Sequence, residues 1–363
     1  MVVELAKELV SHDSNCVEGK EGEVAQFIFN YLKDLGLKPV KQFYDEKKNR
    51  FNVLVFGSNE TNLMINGHLD TVPINDPKNW HRNPFGEIAD GKLYGRGACD
   101  TKGNIACLLA SMSEYFNENL VYVFNVEEEI TLGGIERVLE LRKSKLKNIT
   151  YSLSLEPTDG KIMAGNKGQY AFEVIARGKT AHASQPYLGE NAIYKIAQAT
   201  LRIQKYNKKI NKITHPLFGH ATASVGIIDG GTASNVVPDL ASINVDRRIL
   251  PNENSGKVEK ELRELVSPLE TKFINRIEAC ETPLGSKIVK EMQSVLKNLN
   301  MDNKAYGFTA TSELSEISLH GIEGVIFGTA QLAQAHKPNE FITLEELKRG
   351  TEIFSALLKK WRA

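Results

Sequence analysis

Five stretches of this chain place a histidine or a carboxylate just after a short apolar run or in the loop beyond it. They are His68-Leu69-Asp70 after Leu63–Ile65, Asp100 after Tyr94-Gly95-Arg96-Gly97, Glu127-Glu128-Glu129 after Leu120–Val126, Glu156 after Tyr151–Leu155, and His336 beyond Gly324–Phe327. Short apolar runs bounded by turn residues read as buried strands. Helical patterns lie between them. Val24, Phe27, Ile28, Tyr31, Leu32 and Leu35 recur at helical spacing over Glu21–Leu35, with Gly36 as the stop. Ile105, Leu108, Leu109 and Met112 mark the inner face of a helix that Asp100 or Thr101 can cap, and Gly134–Arg142 reads as another. Strands alternating with helices predict an α/β core with a mostly parallel central sheet. Ligands of such sheets collect at the carboxyl ends of the strands. The five polar stretches are therefore expected to converge there.

Two imidazoles and three or four carboxylates suit a site for two divalent cations with nitrogen and oxygen ligands. Without thiolates, an open catalytic centre of the zinc type fits better than a closed structural one. Each fragment also has a plain structural reading. His68 alone is a satisfied loop histidine, although the His-x-Asp spacing lets Asp70 orient its imidazole. Asp100 alone is a helix cap, Glu127–Glu129 a solvated charge run, Glu156 a turn carboxylate before Pro157, and His336 an exposed loop histidine.

Composition narrows the partners. The 363 residues carry 45 basic and 45 acidic side chains, which argues against a broad basic footprint for nucleic acid or anionic membrane. With 41% hydrophobic and 25% charged residues the chain is of globular type. No run of about 18 apolar residues marks a membrane span. Met1–Val10 contains Glu4 and Glu8 and lacks the apolar core of a secretion signal. The four cysteines, Cys16, Cys99, Cys107 and Cys280, form no C-x-x-C pair. A reduced, cytoplasmic setting is the expectation, with Cys99 buried and inert. No phosphate-binding glycine loop and no G-x-S-x-G elbow occurs.

From about Gly168 the texture changes. Gln169–Ala176 alternates as a half-exposed strand. Ile193, Ile196, Ala197, Thr200 and Leu201 mark a helix, Ser224–Ile228 and Ala241–Val245 two strands, and Val258, Leu262, Leu265 and Val266 a second helix. This reads as a small α+β unit within the usual domain size. Near Thr282 the α/β texture resumes, with helices at Lys287–Leu299 and from Leu344, the latter with Thr343 and Glu346 as a capping box. The reading is a catalytic α/β domain, residues 1–166 and 278–363, interrupted by an inserted domain, 167–277.

The strings GHLDTVP (Gly67–Pro73), GRGACDTKG (Gly95–Gly103), VEEEITLGG (Val126–Gly134), LEP (Leu155–Pro157), GKTAHAS (Gly178–Ser184), SNVVPD (Ser234–Asp239) and AHKPNEF (Ala335–Phe341) occur in this order. The set closely resembles the M20 family of metallopeptidases and amidohydrolases, nearly end to end. Its closest likeness is to the subgroup that contains acetylornithine deacetylase and succinyl-diaminopimelate desuccinylase, enzymes of amino-acid biosynthesis. Asp76–Phe85, with Trp80 and Pro84-Phe85, resembles the desuccinylase-like group. The resemblance implies a zinc-peptidase-like catalytic domain and a ferredoxin-like inserted domain that serves as dimerisation and lid element. It implies two divalent metal ions, zinc first, with cobalt or manganese as alternatives.

Residue by residue, the resemblance makes Asp100 the carboxylate bridging both metals. His68 and Glu156 complete one, and Glu129 and His336 the other, with Asp70 supporting His68. Glu128, immediately before the ligand Glu129, becomes the catalytic base. In this register, counted back from Gly134, Glu127 stands where the family has Asp; since three glutamates compete, a one-residue slip would make Glu127 and Glu128 the pair. His182 matches a histidine supplied across a homodimer interface to the tetrahedral oxyanion; a turn histidine is the plain reading. Arg248 is the candidate clamp for a substrate carboxylate, with a surface pair to Asp246 as the alternative. Asn235 resembles a substrate-binding asparagine, against a plain turn asparagine. Thr311 and Glu313, in a loose match to a late family motif, are expected to border the substrate pocket. The implied activity is metal-dependent hydrolysis of the amide bond of a small N-acyl amino acid. A dipeptidase or carboxypeptidase of the same family is the alternative, and a catalytically silent binding protein the alternative of another class.

Overall fold

The structure is a computed structural model that describes residues 1–57 and 60–362. It divides into two compact units: Met1–Gly165 with Thr282–Phe308 and Ser312–Ala363, and Asn166–Glu281 with Thr309–Thr311.

In the first unit, the strands Val40–Asp45, Arg50–Phe56, Leu120–Asn125, Leu63–His68, Tyr151–Leu155, Glu323–Phe327 and Ile162–Asn166 lie side by side in that order. The four from Leu120–Asn125 to Glu323–Phe327 are mutually parallel. The flanking strands pair antiparallel, so the sheet is mixed and its parallel part is the centre. The reason is chain length. Only the turn at residues 46–49 joins Val40–Asp45 to Arg50–Phe56, and a connection that short cannot make the crossover a parallel pair needs. The central strands Leu63–His68 and Leu120–Asn125 are buried along their whole length, as parallel strands covered on both faces must be.

Helix Lys102–Glu114 is buried from Lys102 to Met112 on every side. The sequence pattern suggested one inner face. The helix instead packs against the helices Val2–Ser11 and Leu344–Lys360 as well as the sheet strand Leu63–His68, and a helix enclosed in this way has no solvent face. Val2–Ser11, unmarked in the sequence reading, buries Leu5, Ala6, Leu9 and Val10 against this core. Leu344–Lys360 starts with the capping box: Glu346 N–H donates to Thr343 Oγ1 at 3.0 Å and Thr343 N–H to the Glu346 carboxylate at 2.8 Å.

A small antiparallel sheet joins Phe341–Thr343, Lys92–Tyr94 and Glu87–Ala89. Pairing of Phe341 with Tyr94 brings the loop holding His336 beside the loop holding Asp100, although some 240 residues of chain separate them.

The second unit contains an antiparallel sheet in the order Thr222–Gly230, Leu240–Ile249, Gly168–Arg177, Glu270–Ile277. Helices Ala192–Ile210 and Ser255–Val266 supply Ile196, Ile203, Val258 and Leu262 to a core shared with Phe172, Val174, Ile243 and Val245 of the sheet. The connectivity β-α-β-β-α-β is that of a ferredoxin-like fold. Glu270–Ile277 was not read as a strand, because its polar Glu, Thr, Lys, Asn and Arg hide the alternation. Thr222–Gly230 forms an edge and leaves Ile227 and Ile228 59% and 61% exposed.

Gly134 fixes the turn after Leu120–Asn125. A Cβ there would lie 1.7 Å from the Val126 carbonyl oxygen. Gly134→Ala must therefore push the helix Gly133–Leu139 off the strand end. We expect a loss of about 1–3 kcal/mol in stability, read as a lower urea midpoint; an unchanged midpoint would mean the contact is not rigid.

Candidate metal centre

Three of the four parallel strands deliver a polar site residue at or just beyond their carboxyl ends. Leu63–His68 ends on His68, Tyr151–Leu155 is followed by Glu156, and Leu120–Asn125 runs into Glu127–Glu129. Asp100 precedes the central helix, and His336 follows the short helix Leu332–Gln334 in a left-handed backbone conformation, φ +63°.

These groups meet. His68 Nε2 lies 3.1 Å from Asp100 Oδ1 and 3.9 Å from Glu156 Oε1. His336 Nε2 lies 3.3 Å from Asp100 Oδ2 and 3.2 Å from Glu129 Oε1. Thus the two Asp100 oxygens face different imidazoles. Ligand atoms of His68, Asp100 and Glu129 all fall within 4.8 Å of one another. His68, Asp100 and Glu156 are buried, whereas the His336 side chain is 52% exposed.

The donor set fits divalent cations on two observations. His68 Nδ1 sits 3.0 Å from the Asp70 main-chain carbonyl; a carbonyl can only accept, so Nδ1 carries hydrogen and Nε2 is the ligand atom. Glu129 Oε1 is buried and without a hydrogen-bond partner among the described residues, even with His336 close by. Ligand atoms of His68, Asp100 and Glu129 are close enough to share a cation, and all the donors are nitrogen or oxygen.

Asp70 works differently from the expectation. Its carboxylate stands 3.8 Å from His68 Nδ1, too far to hydrogen-bond. It is occupied instead by the N–H groups of Glu128 and Glu129, at 3.0 and 2.9 Å. The start of the helix Glu128–Thr131 presents free amides, which an anion satisfies. Asp70 therefore orients His68 through its carbonyl and anchors the glutamate run through its carboxylate.

Charge is concentrated here. Burial works against a charge on His68, but Asp100, Glu128 and Glu156 outweigh it and carry the imidazole well above its usual range. Burial also disfavours an ionised Asp100, yet His336 and His68 hold it well below the carboxylate range. Contacts with Asp100 and Glu129 push His336 up to about 10. The half-buried Glu128 has its carboxyl raised well above normal by desolvation; His68 opposes this, and Glu129, Glu313 and Asp70 add to it. Burial, with Asp100 and Glu128 nearby, raises Glu156 as well.

Several supporting residues escaped the sequence reading. Glu340 is buried, accepts the N–H groups of Cys99 and Asp100 at 2.9 and 3.1 Å, and pairs with Arg96 at 2.5 Å. Both residues lay in plain view in AHKPNEF and GRGACDTKG. Glu313, expected to border the substrate pocket, is 2% exposed and accepts from Asn66 Nδ2 at 2.6 Å and from Asn125 Nδ2. Its carboxylate braces the ends of two central strands, and burial lifts it to about 6. The signal available was an asparagine in each of two otherwise apolar strands. Cys99 is buried and donates to the Gln331 carbonyl; burial keeps its thiol well above the usual range.

The remaining candidates belong to the second unit. His182, in the second unit, is exposed; its Nδ1 lies 2.7 Å from Ser184 Oγ. Asn235 is exposed and its carbonyl accepts from Ala183 N–H at 2.9 Å, so the two motif loops are neighbours. Arg248 pairs with Asp246 at 2.8 and 3.1 Å while its side chain stays 27% exposed; the surface pair read as an alternative is present. Thr311 is half-buried, just before Ser312.

The surrounding carboxylates favour the protonated form of both imidazoles. Cation binding requires neutral Nε2 atoms and ionised carboxylates, so it must release protons and weaken as pH falls. We expect zinc affinity to go on rising above neutral pH, toward the value of about 10 at His336. Calorimetric titration in buffers of different ionisation enthalpy should show net proton release at pH 7; no release would mean the imidazoles are already neutral.

The comparisons with known proteins agree with this geometry. The chain is 26% identical to a succinyl-diaminopimelate desuccinylase of Wolbachia pipientis wMel, over 99% of this chain and 93% of that protein. It is 29% identical to an acetylornithine deacetylase of Myxococcus xanthus, over 81% and 78%. In fold it is similar to an M20 family metallo-carboxypeptidase from Sulfolobus solfataricus, with a TM-score of 0.80, 20% identity, and coverage of 99% and 98%. The family model for peptidase family M20/M25/M40 matches residues 64–360, and the chain belongs to that family as a metallohydrolase.

Proposed function

We propose that this hydrolase cleaves the amide bond of an N-acyl amino acid, in the manner of an acetylornithine deacetylase or succinyl-diaminopimelate desuccinylase. The observation that carries the chemistry is the convergence of His68, Glu156, Glu129 and His336 around Asp100, with the Glu128 carboxyl beside them. Relatives named for deacylation over most of the chain support the substrate class.

His68, Asp100 and Glu156 would hold one divalent cation, and Asp100, Glu129 and His336 the other, zinc being the first choice for this ligand set. Such a pair supplies Lewis acidity for the scissile carbonyl and acidifies the attacking water. Glu128 accepts the proton of that water and returns it to the departing amine nitrogen. A desolvated carboxyl with a raised affinity for protons suits both steps. Asp70 keeps Glu128 in place through its amide. In the second unit, His182 is the proposed donor to the developing oxyanion, and Arg248 and Asn235 the proposed contacts for the substrate's carboxylate end. Thr311 is the proposed neighbour of the acyl group.

A homodimer follows from the proposed role of His182. The exposed edge strand with Ile227 and Ile228 supports it, since such an edge is a ready template for a second copy. No described helix is long and apolar enough to cross a membrane. The proposed setting is the cytoplasm.

Three outcomes test this reading. Glu128→Gln should keep its metal and lose at least about 100-fold in kcat; unchanged turnover rejects Glu128 as the base. A panel of N-acetyl and N-succinyl amino acids and dipeptides, assayed with zinc or cobalt, should show turnover of the acyl substrates; hydrolysis of dipeptides alone favours the peptidase alternative. Mixing inactive Glu128→Gln and His182→Ala subunits should restore about a quarter of wild-type activity, because one site of each mixed dimer is intact. No recovery, with subunit exchange verified, excludes His182 acting in trans.

A further inference from the structure

Three glutamates stand in a row at the mouth of the site, and the first is turned away from it. The Glu127 carboxylate accepts from Arg50 Nη2. The same guanidinium donates from Nε and Nη2 to Glu21, at 2.7 and 2.5 Å. All three residues are buried: Arg50 is 7% exposed, Glu21 0% and Glu127 7%. The Tyr44 ring covers the guanidinium at 5.0 Å. Glu127 also has φ +64°, a left-handed conformation that a residue with a side chain adopts at a cost. On the other side, Asp70 takes the N–H groups of Glu128 and Glu129. The run is gripped twice, by the side chain of its first member and by the amides of the next two.

We propose that Arg50 is a positioning residue for catalysis: by locking Glu127 against Glu21, it fixes which two glutamates of the run enter the site. This rests on the assignment of Glu128 and Glu129 above. The argument is one of charge and shape. Glu127 is chemically identical to its neighbours and lies one residue from the base, so nothing in its own chemistry keeps it out. An arginine fork can serve two carboxylates at once, which a lysine ammonium does with poorer geometry. Once Arg50 is gone, Glu21 and Glu127 become buried charges without a partner, and the cationic centre becomes the attractive place for Glu127.

The test uses the full-length protein with kcat and KM on an N-acyl amino acid, and zinc binding to the metal-stripped protein by calorimetry. Arg50→Met should lower kcat by about 30-fold or more with KM within about threefold, and weaken the second zinc equivalent about tenfold. Adding Glu127→Gln to Arg50→Met should recover a large part of both losses, because the stray charge is removed. Glu127→Gln alone keeps an acceptor for Arg50 and should stay within about threefold of wild type. If Arg50→Met does not fold, Arg50→Lys carries the test, with the same direction and a smaller loss. Native kcat and zinc binding in the folded Arg50 variant overturn the proposal, as does a loss that Glu127→Gln fails to relieve, which would mark a merely structural role. Loss of turnover in Glu127→Gln alone would overturn it too, by placing the base one residue earlier. Unchanged turnover in Glu128→Gln, with Arg50→Met still impaired and rescued, would instead reject the base assignment and leave the role of Arg50 standing.

Discussion

The site is organised by the way the charge of Asp100 is balanced. One of its oxygens faces His68 and the other faces His336, and a further carboxylate approaches the same Nε2 atom of each imidazole. Carboxylates this close repel one another in a low-dielectric surrounding, so the cluster is stable only while positive charge sits among them. Protonated imidazoles supply it in the absence of cations, and divalent cations do so more effectively. The same arrangement that strains a metal-free protein therefore selects for the metal-loaded one.

Holding such a cluster requires rigid supports outside it, and the first unit places them at each loop. Glu340, anchored by Arg96, receives the two amides at Asp100. Asp70 receives the amides of Glu128 and Glu129. Glu313 binds the two asparagines at the ends of neighbouring strands. Arg50 holds Glu127 and Glu21. In each case a buried charge is held by hydrogen bonds from the segment it steadies, which offsets part of the cost of burying it; Asp70, Glu313 and Glu340 are still raised by burial. The overall neutrality of the chain, 45 charges of each sign, gives no hint of this local concentration.

The parallel centre of the sheet was legible because apolar runs such as Leu120–Val126 are long, uninterrupted and followed by polar residues. The motif strings brought His68, Asp100, Glu129, Glu156 and His336 together before any coordinates. What periodicity could not show was that the flanking strands run antiparallel. It also missed the helix Val2–Ser11 and the all-round burial of Lys102–Met112, because burial on a second face depends on distant segments. The supporting polar residues were hidden for a different reason. Asn66, Asn125 and Arg50 look like flaws in apolar strands, and only the approach of Glu313, Glu21 and Glu127 explains them. Asp70 was assigned to the right neighbourhood but given the wrong bond, since sequence spacing does not distinguish a carboxylate from its own carbonyl.

The arrangement of the donors implies that Asp100 would lie between two cations. Anomalous diffraction from crystals of the zinc-loaded protein tests it directly. The account predicts two peaks flanking the Asp100 carboxylate, one beside His68 and Glu156 and the other beside Glu129 and His336. A single peak under saturating zinc, or peaks that do not share Asp100, would contradict it.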